Sequence, residues 1–290
     1  MRRFLSLFAL LLVALTAASH AQISVNIEVQ RRNYIRYEPI LVTVSITNLA
    51  GRDLTLEDGT APWFGFTVQH GDKETIISPR DPNYHLDPLF LKLGETLKRQ
   101  VNLVTLYPIG ELGFYRVRAD VYCKEYNKFF SSRIANLDIS EGQMLWKQVA
   151  GVPETMPRAG EMHEFTLLNA IGTAHQYLYC RITDPASGAV FGCYRLGHLL
   201  DGSKPDAKLD TTNTLHVLQL VGPKTYTLTQ IGINGEVFGQ WTYDAPKLKP
   251  FLRRDSSGGL EIVGATRRAA PVAGATPPPK LSDRPAGLPR

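Results

Sequence analysis

Apolar and polar residues alternate along short runs of this chain, and this period of two limits its possible folds more than any other feature. Residues 24–29 place Val25, Ile27 and Val29 on one face, and residues 40–47 repeat the pattern. Side chains of a β-strand point alternately to the two faces of a sheet, so each run predicts a strand with one buried face. Similar runs, separated by turn-forming residues, recur in both halves of the chain. We therefore predict an all-β protein.

The length of 290 residues exceeds the roughly 100–200 residues of one typical domain, so two domains are expected. The strand spacing favours antiparallel, immunoglobulin-like β-sandwiches, and the final segment is too rich in proline, alanine and glycine to build a core. We predict a signal peptide at 1–21, a β-sandwich at 22–140, a linker at 141–160, a second β-sandwich at 161–265, and a disordered tail at 266–290.

The first residues have the pattern of a secretory leader. Met1-Arg2-Arg3 precedes an apolar stretch at 4–18, and Ser19-His20-Ala21 matches the small-x-Ala cleavage signal. Cleavage before Gln22 would export the mature chain to a periplasm or to the outside of the cell. The apolar stretch is shorter than the roughly 20 residues that span a bilayer, and we expect no membrane span.

The formal charge of +5 comes from the two ends of the chain. Without the predicted leader and tail, the chain has 25 basic and 26 acidic residues. Binding to nucleic acid depends on a strong positive field that neutralises phosphates. The near-neutral body therefore predicts no nucleic-acid partner.

The first predicted sandwich resembles a known class of bacterial modules. Residues 34–48 (YIRYEPILVTVSITN), Leu93-Gly94-Glu95 and residues 113–117 (GFYRV) are similar to the signatures of bacterial immunoglobulin-like and macroglobulin-type modules, including the Bacillus intracellular proteinase inhibitor family. The chain departs from the family at Leu93, where the family has proline. The resemblance covers about residues 22–140 and implies a sandwich in which Tyr115 is a corner tyrosine.

No catalytic template is complete in the sequence. Ala186-Ser187-Gly188 lies in a turn and lacks the flanking pattern of a nucleophile elbow, and no glycine-rich loop follows a strand as in a phosphate site. Two loops are rich in carboxylates but lack the fixed ligand spacing of a calcium loop; they carry Asp81, His85 and Asp87, and Asp201, Asp206 and Asp210. We expect no enzyme activity, metal or cofactor.

The register of one hairpin decides whether a disulfide forms. If residues 185–188 make the turn, Cys180 and Cys193 face each other at a separation that a disulfide spans. A five-residue loop would instead place Cys180 opposite Gly192 and forbid the bond. Cys123 ends a core strand of the other domain and is expected to be free and buried.

The remaining function is contact with a partner, an unknown protein or a cell-surface polymer. Aromatic side chains at loops make efficient contact residues, so Trp63, Phe64, Tyr84 and His85 are the candidate binding residues. The leading interpretation is an exported, non-catalytic binding or structural module. Two alternatives stay open: a proteinase inhibitor that presents the loop 78–88, and an extracytoplasmic hydrolase of polysaccharide that pairs distant carboxylates.

Overall fold

The computed structural model describes residues 22–172 and 175–269, and nearly all of its regular structure is β. The first half contains β1 Ile23–Val29, β2 Asn33–Ile35, β3 Leu41–Asn48, β4 Leu54–Leu56, β5 Phe64–His70, β6 Thr75–Ile77, β7 Leu89–Leu91, β8 Thr96–Asn102, the short helix α1 Leu103–Leu106, β9 Gly113–Cys123, β10 Lys128–Ser131 and β11 Ala135–Ser140. The all-β prediction is confirmed. No helix among the described residues is long and apolar enough to cross a membrane.

The second half is likewise built from strands. They are β12 Gln143–Gly151, β13 Met162–Ile171, β14 Gln176–Thr183, β15 Val190–Leu199, β16 Asp206–Leu209, β17 Leu215–Gly222, β18 Thr225–Ile231, β19 Val237–Asp244, β20 Phe251–Arg254, β21 Leu260–Val263 and β22 Thr266–Arg267.

The chain divides into two compact units. The described part of the first comprises 22–30, 41–108 and 114–137. Within it, β3 lies between β1 and β8, and β5 lies between β9 and β6, all antiparallel. Burial alternates along β3 as the sequence predicts, with Val42, Val44 and Ile46 inside.

The second unit is a sandwich of two antiparallel sheets. Its described part comprises 31–40, 109–113, 138–172 and 175–269. One sheet has the strand order β12-β13-β14-β15, and the other has the order β16-β17-β18-β19-β22. A single apolar cluster takes Phe165 and Leu178 from the first sheet and Val217 and Ile231 from the second. Burial of these facing side chains joins the two sheets.

A short early segment, residues 31–40, belongs to the second unit. Its strand β2 pairs in parallel with the end of β11, and Ile35 packs against Leu168, Tyr179 and Cys193. These three residues lie on β13, β14 and β15, so the segment covers one face of that sheet. A domain boundary at residue 140, as predicted, would instead leave residues 31–40 in the first domain.

Three segments differ from their predictions. Gln143–Gly151, within the predicted linker, forms β12 and pairs with β13. The apolar pattern after Thr96 predicts a strand over 97–106, but β8 ends at Asn102, because the Asn102 side chain accepts from the Val104 N–H and caps α1. Thr266–Arg267, at the start of the predicted tail, pairs with β19. The predicted leader and tail residues 270–290 lie outside the described residues.

Candidate functional site

The four predicted contact residues lie in different surroundings. Trp63 and Phe64 are buried in the first unit, where the Trp63 indole N–H donates to the carbonyl of Leu86 at 3.0 Å. Tyr84 is half-buried and His85 is exposed. Trp63 is therefore a core residue, and its hydrogen bond to Leu86 holds the loop 78–88.

The hairpin between β14 and β15 contains a β-bulge. Thr183 lies opposite Val190, whereas the next residue, Ile182, lies opposite Gly192. Phe191 is therefore an extra residue with no partner on the opposite strand. Bulges turn a side chain away from the regular strand direction and are frequent beside functional sites.

This bulge decides the register question against the disulfide between Cys180 and Cys193. The turn begins as predicted, with the Asp184 N–H donating to the carbonyl of Ala189 at 2.8 Å. Beyond the bulge the register is shifted by one residue, so Cys180 faces Tyr194 and Cys193 faces Arg181. Cys180 packs in the core between the sheets and Cys193 packs in the cluster under residues 31–40. Both thiols are free, and the register that would allow the disulfide is not the one observed.

The same local sequence makes a second bulge. Val-Phe-Gly occurs at 190–192 and again at 237–239, and Phe238 is also left without a partner. In both copies an aromatic ring two residues later lies over the glycine. An added Cβ would be 2.3 Å from the Tyr194 hydroxyl in the first copy and 2.5 Å from the Trp241 ring in the second. Because glycine has no Cβ, each ring can lie directly over the backbone at this position.

Phe191 lies in a cleft of about 350 Å³ at one end of the second unit. Three segments line it: the loop between β12 and β13, the start of β15, and the turn between β18 and β19. They contribute Pro157 and Arg158, Val190 and Phe191, and Asn234 and Glu236, respectively. The volume lies within the range of small-molecule sites. The cleft is the candidate functional site, and we call it the Phe191 cleft.

Backbone and side-chain hydrogen bonds hold the two loops of the cleft. The Gly232 N–H donates to the Glu236 carbonyl at 2.7 Å and closes the turn. The Asn234 amide N–H donates to the Pro157 carbonyl at 3.3 Å and joins the turn to the other loop. Gly235, at φ +93°, gives the turn a left-handed conformation that glycine adopts without strain.

A buried histidine supports the wall of the cleft. The His163 side chain is fully buried. Its Nδ1 lies 2.8 Å from the carbonyl oxygen of Ile233. Since a carbonyl oxygen only accepts hydrogen bonds, Nδ1 is the donor. Its ring lies against Phe191, with centroids 4.0 Å apart. Nε2 lies 3.3 Å from the Glu161 carboxylate. His163 thus fixes the aromatic ring relative to the turn.

Opposite charges line the Phe191 cleft without neutralising each other. The Arg158 guanidinium lies 4.4 Å from the Phe191 ring centroid, a cation–π distance. Neither Arg158 nor Glu236 forms an ion pair with any residue in the described part of the chain. The buried Asn234 Oδ1 also has no hydrogen-bond partner among those residues. Both charges are exposed and available to a ligand.

The chemistry of the lining favours binding. The six lining residues offer no hydroxyl, thiol or amine nucleophile and one carboxylate. Nearby, burial raises the pKa of the Tyr194 phenol, and the Glu236 carboxylate adds to the effect, so the hydroxyl stays protonated at neutral pH. No group of three His, Cys, Asp or Glu side chains suitable for a metal occurs within the described ranges.

Sequence reasoning missed the residues of the cleft but contained signals for two of its walls. The Asn234-Gly235 dipeptide predicts a hairpin turn but does not indicate that the turn lines a site. An isolated glycine within a strand pattern, such as Gly192, is a signal for a bulge. The position of Arg158 in the loop between β12 and β13 had no such signal.

The chain matches no family model, no curated protein and no solved structure. Evidence about its function therefore comes from the geometry of the Phe191 cleft and from the sequence.

Proposed function

We propose that this protein is an exported, non-catalytic binding module that holds its ligand in the Phe191 cleft. The observation that carries the proposal is the pair of unneutralised charges beside an aromatic ring in one cleft. A few polar groups placed among apolar walls are typical of ligand sites. A cleft of about 350 Å³ suits a small molecule or one end of a larger polymer.

The rigidity of the cleft supports a binding role. Its two loops are tied through Asn234 and Pro157, and its aromatic wall is held by His163. A ligand site that is already formed loses less conformational entropy when it binds. The absence of a nucleophile from the six lining residues favours binding over turnover.

Export is the second part of the proposal and rests on the sequence of residues 1–21. Amino-terminal sequencing of protein from the periplasm or culture medium should begin at Gln22. A mature chain that retains Arg2 and Arg3 in the cytoplasm would contradict export and leave the binding proposal intact.

A thermal-shift screen tests the binding part. The probes are neutral sugars, small anions, small cations, amino acids and dipeptides, each at millimolar concentration. A ligand at 100 times its Kd stabilises the folded chain by about 2.7 kcal/mol, which raises Tm measurably. We expect one class to raise Tm in the wild type and not in Phe191→Leu, and to be recovered chemically unchanged.

The matched control is Phe129→Leu, an exposed phenylalanine of the first unit. It should respond to the ligand like the wild type. A Tm shift that survives Phe191→Leu would place binding elsewhere, and conversion of the ligand would refute the non-catalytic proposal.

A further inference from the structure

We propose that the ligand of the Phe191 cleft is a small zwitterion, an amino acid or dipeptide with an apolar side chain. This inference rests on the proposed function and specifies its ligand class. It starts from the opposite charges of Arg158 and Glu236, which line the same cleft but lack ion-pair partners among the described residues.

A ligand of a single charge would meet repulsion in this cleft. An anion that pairs with Arg158 would approach the Glu236 carboxylate, and a cation that pairs with Glu236 would approach the Arg158 guanidinium. Coulomb energies rise as water is excluded, so both repulsions strengthen when a ligand fills the cleft. A ligand with both charges converts each repulsion into an attraction.

The polar groups divide between the two ends of such a ligand. The guanidinium of Arg158 has a planar set of N–H donors that matches a carboxylate. On the opposite turn, the exposed carboxylate of Glu236 lines the cleft. An ammonium group carries three donors and no acceptor, so it suits the Glu236 carboxylate.

The aromatic wall disfavours a sugar. Sugars commonly bind by stacking on an open aromatic face, but the Phe191 ring is already in contact with His163 at 4.0 Å and with the Arg158 guanidinium at 4.4 Å. The rest of the apolar lining, Pro157 and Val190, is aliphatic. This surface suits an aliphatic side chain of the ligand.

Isothermal titration calorimetry with three related probes tests the inference. Leucyl-leucine carries both charges, N-acetyl-leucyl-leucine carries only the carboxylate, and leucyl-leucine amide carries only the ammonium. We expect leucyl-leucine to bind the wild type at least tenfold more tightly than either capped form. Tightening at low salt should accompany this preference, because the contacts are ionic.

Two variants that each remove one charge should abolish the preference for the doubly charged form. In Arg158→Gln, leucyl-leucine should lose at least tenfold in affinity and the amide should bind as well as the free dipeptide. In Glu236→Gln, N-acetyl-leucyl-leucine should instead bind as well as leucyl-leucine. The control is Arg253→Gln, which removes an exposed arginine paired with Glu261 and should leave all three affinities unchanged.

The results separate this inference from the proposed function. Neutral sugars that bind the wild type but not Phe191→Leu would overturn the zwitterion and retain the cleft as a binding site. Equal affinities for the three dipeptide forms would also overturn it. If leucyl-leucine does not bind at millimolar concentration, the zwitterion inference fails whatever other probe raises Tm.

Discussion

The ion pair between Arg31 and Glu38 should fix the conformation of residues 31–40 and position Arg31 for its hydrogen bond to Tyr179. The Glu38 carboxylate is buried, accepts from the Arg31 guanidinium and from the Ile35 N–H, and retains 4% exposure of its side chain. Arg31 also donates to the Tyr179 hydroxyl of β14 at 2.8 Å. The substitution Glu38→Gln keeps the shape of the side chain and removes its charge.

The expected loss follows from the burial of the two partners. Removing one member of a fully buried ion pair lowers the free energy of unfolding by about 3–5 kcal/mol, because the other charge stays buried and unpaired. The Arg31 side chain is 24% exposed, so water recovers part of this loss. We expect Glu38→Gln to destabilise by about 2–3 kcal/mol, and Glu38→Ala by about 1 kcal/mol more because Ile35 loses its acceptor.

Guanidinium denaturation of the full chain, followed by circular dichroism, measures these losses. Hydrogen exchange adds a local measurement, since the Ile35 amide should lose protection in Glu38→Ala. The control is Glu261→Gln, whose pair with Arg253 is about half exposed and should contribute less than about 1 kcal/mol. Equal effects of Glu38→Gln and Glu261→Gln on unfolding would refute the reasoning.

Three further predictions concern the second unit. Burial acts to raise the pKa of Asp210, but hydrogen bonds from the Thr212 hydroxyl, the Thr214 backbone and His216 outweigh it and hold the pKa below its usual value. Asp210→Asn should therefore destabilise by about 1 kcal/mol at pH 7, and urea titrations should show the difference disappearing as the pH falls through the pKa of the folded carboxyl. Gly239→Ala should destabilise by about 1–3 kcal/mol because its Cβ meets the Trp241 ring, and thermal melts should show a smaller loss in a Trp241→Ala background. Because burial raises the thiol pKa of both Cys180 and Cys193, a thiol reagent should label neither in the folded chain and both after unfolding.

Each of these predictions has a result that contradicts it. A pH-independent loss in Asp210→Asn would show that charge does not stabilise this turn. An undiminished loss in the Trp241→Ala background would assign the Gly239 effect to the backbone. A non-reduced digest that contains a Cys180–Cys193 peptide would restore the disulfide.

Local patterns predicted the strands, and the structure shows why. Along β3 every second side chain, from Val42 to Asn48, is buried, and the alternation of the sequence is the direct consequence of this burial. The turn at Asn234-Gly235 was also readable, because glycine is suited to its positive φ. These features depend on neighbouring residues alone.

Contacts between segments far apart in the sequence could not be predicted from local patterns. Residues 31–40 lie beside a predicted first-domain strand in sequence, yet Ile35 packs against Leu168 and Tyr179, more than 130 positions later. Nothing local distinguishes a strand that pairs within its own half of the chain from one that pairs with the other half. The predicted boundary at residue 140 therefore failed to include this segment in the second unit.

A single residue separates the predicted hairpin from the observed one and also creates the site. From the turn to Thr183 and Val190 the predicted register holds, and the bulge at Phe191 then shifts it. If β15 were regular, Phe191 would occupy an ordinary paired position and the cysteines would face each other. The bulge instead leaves Phe191 unpaired beside His163 and Arg158. The same Val-Phe-Gly sequence forms a bulge at 237–239, again with an aromatic ring over its glycine. The separation of the two cysteines and the position of Phe191 in the cleft thus follow from the same bulge.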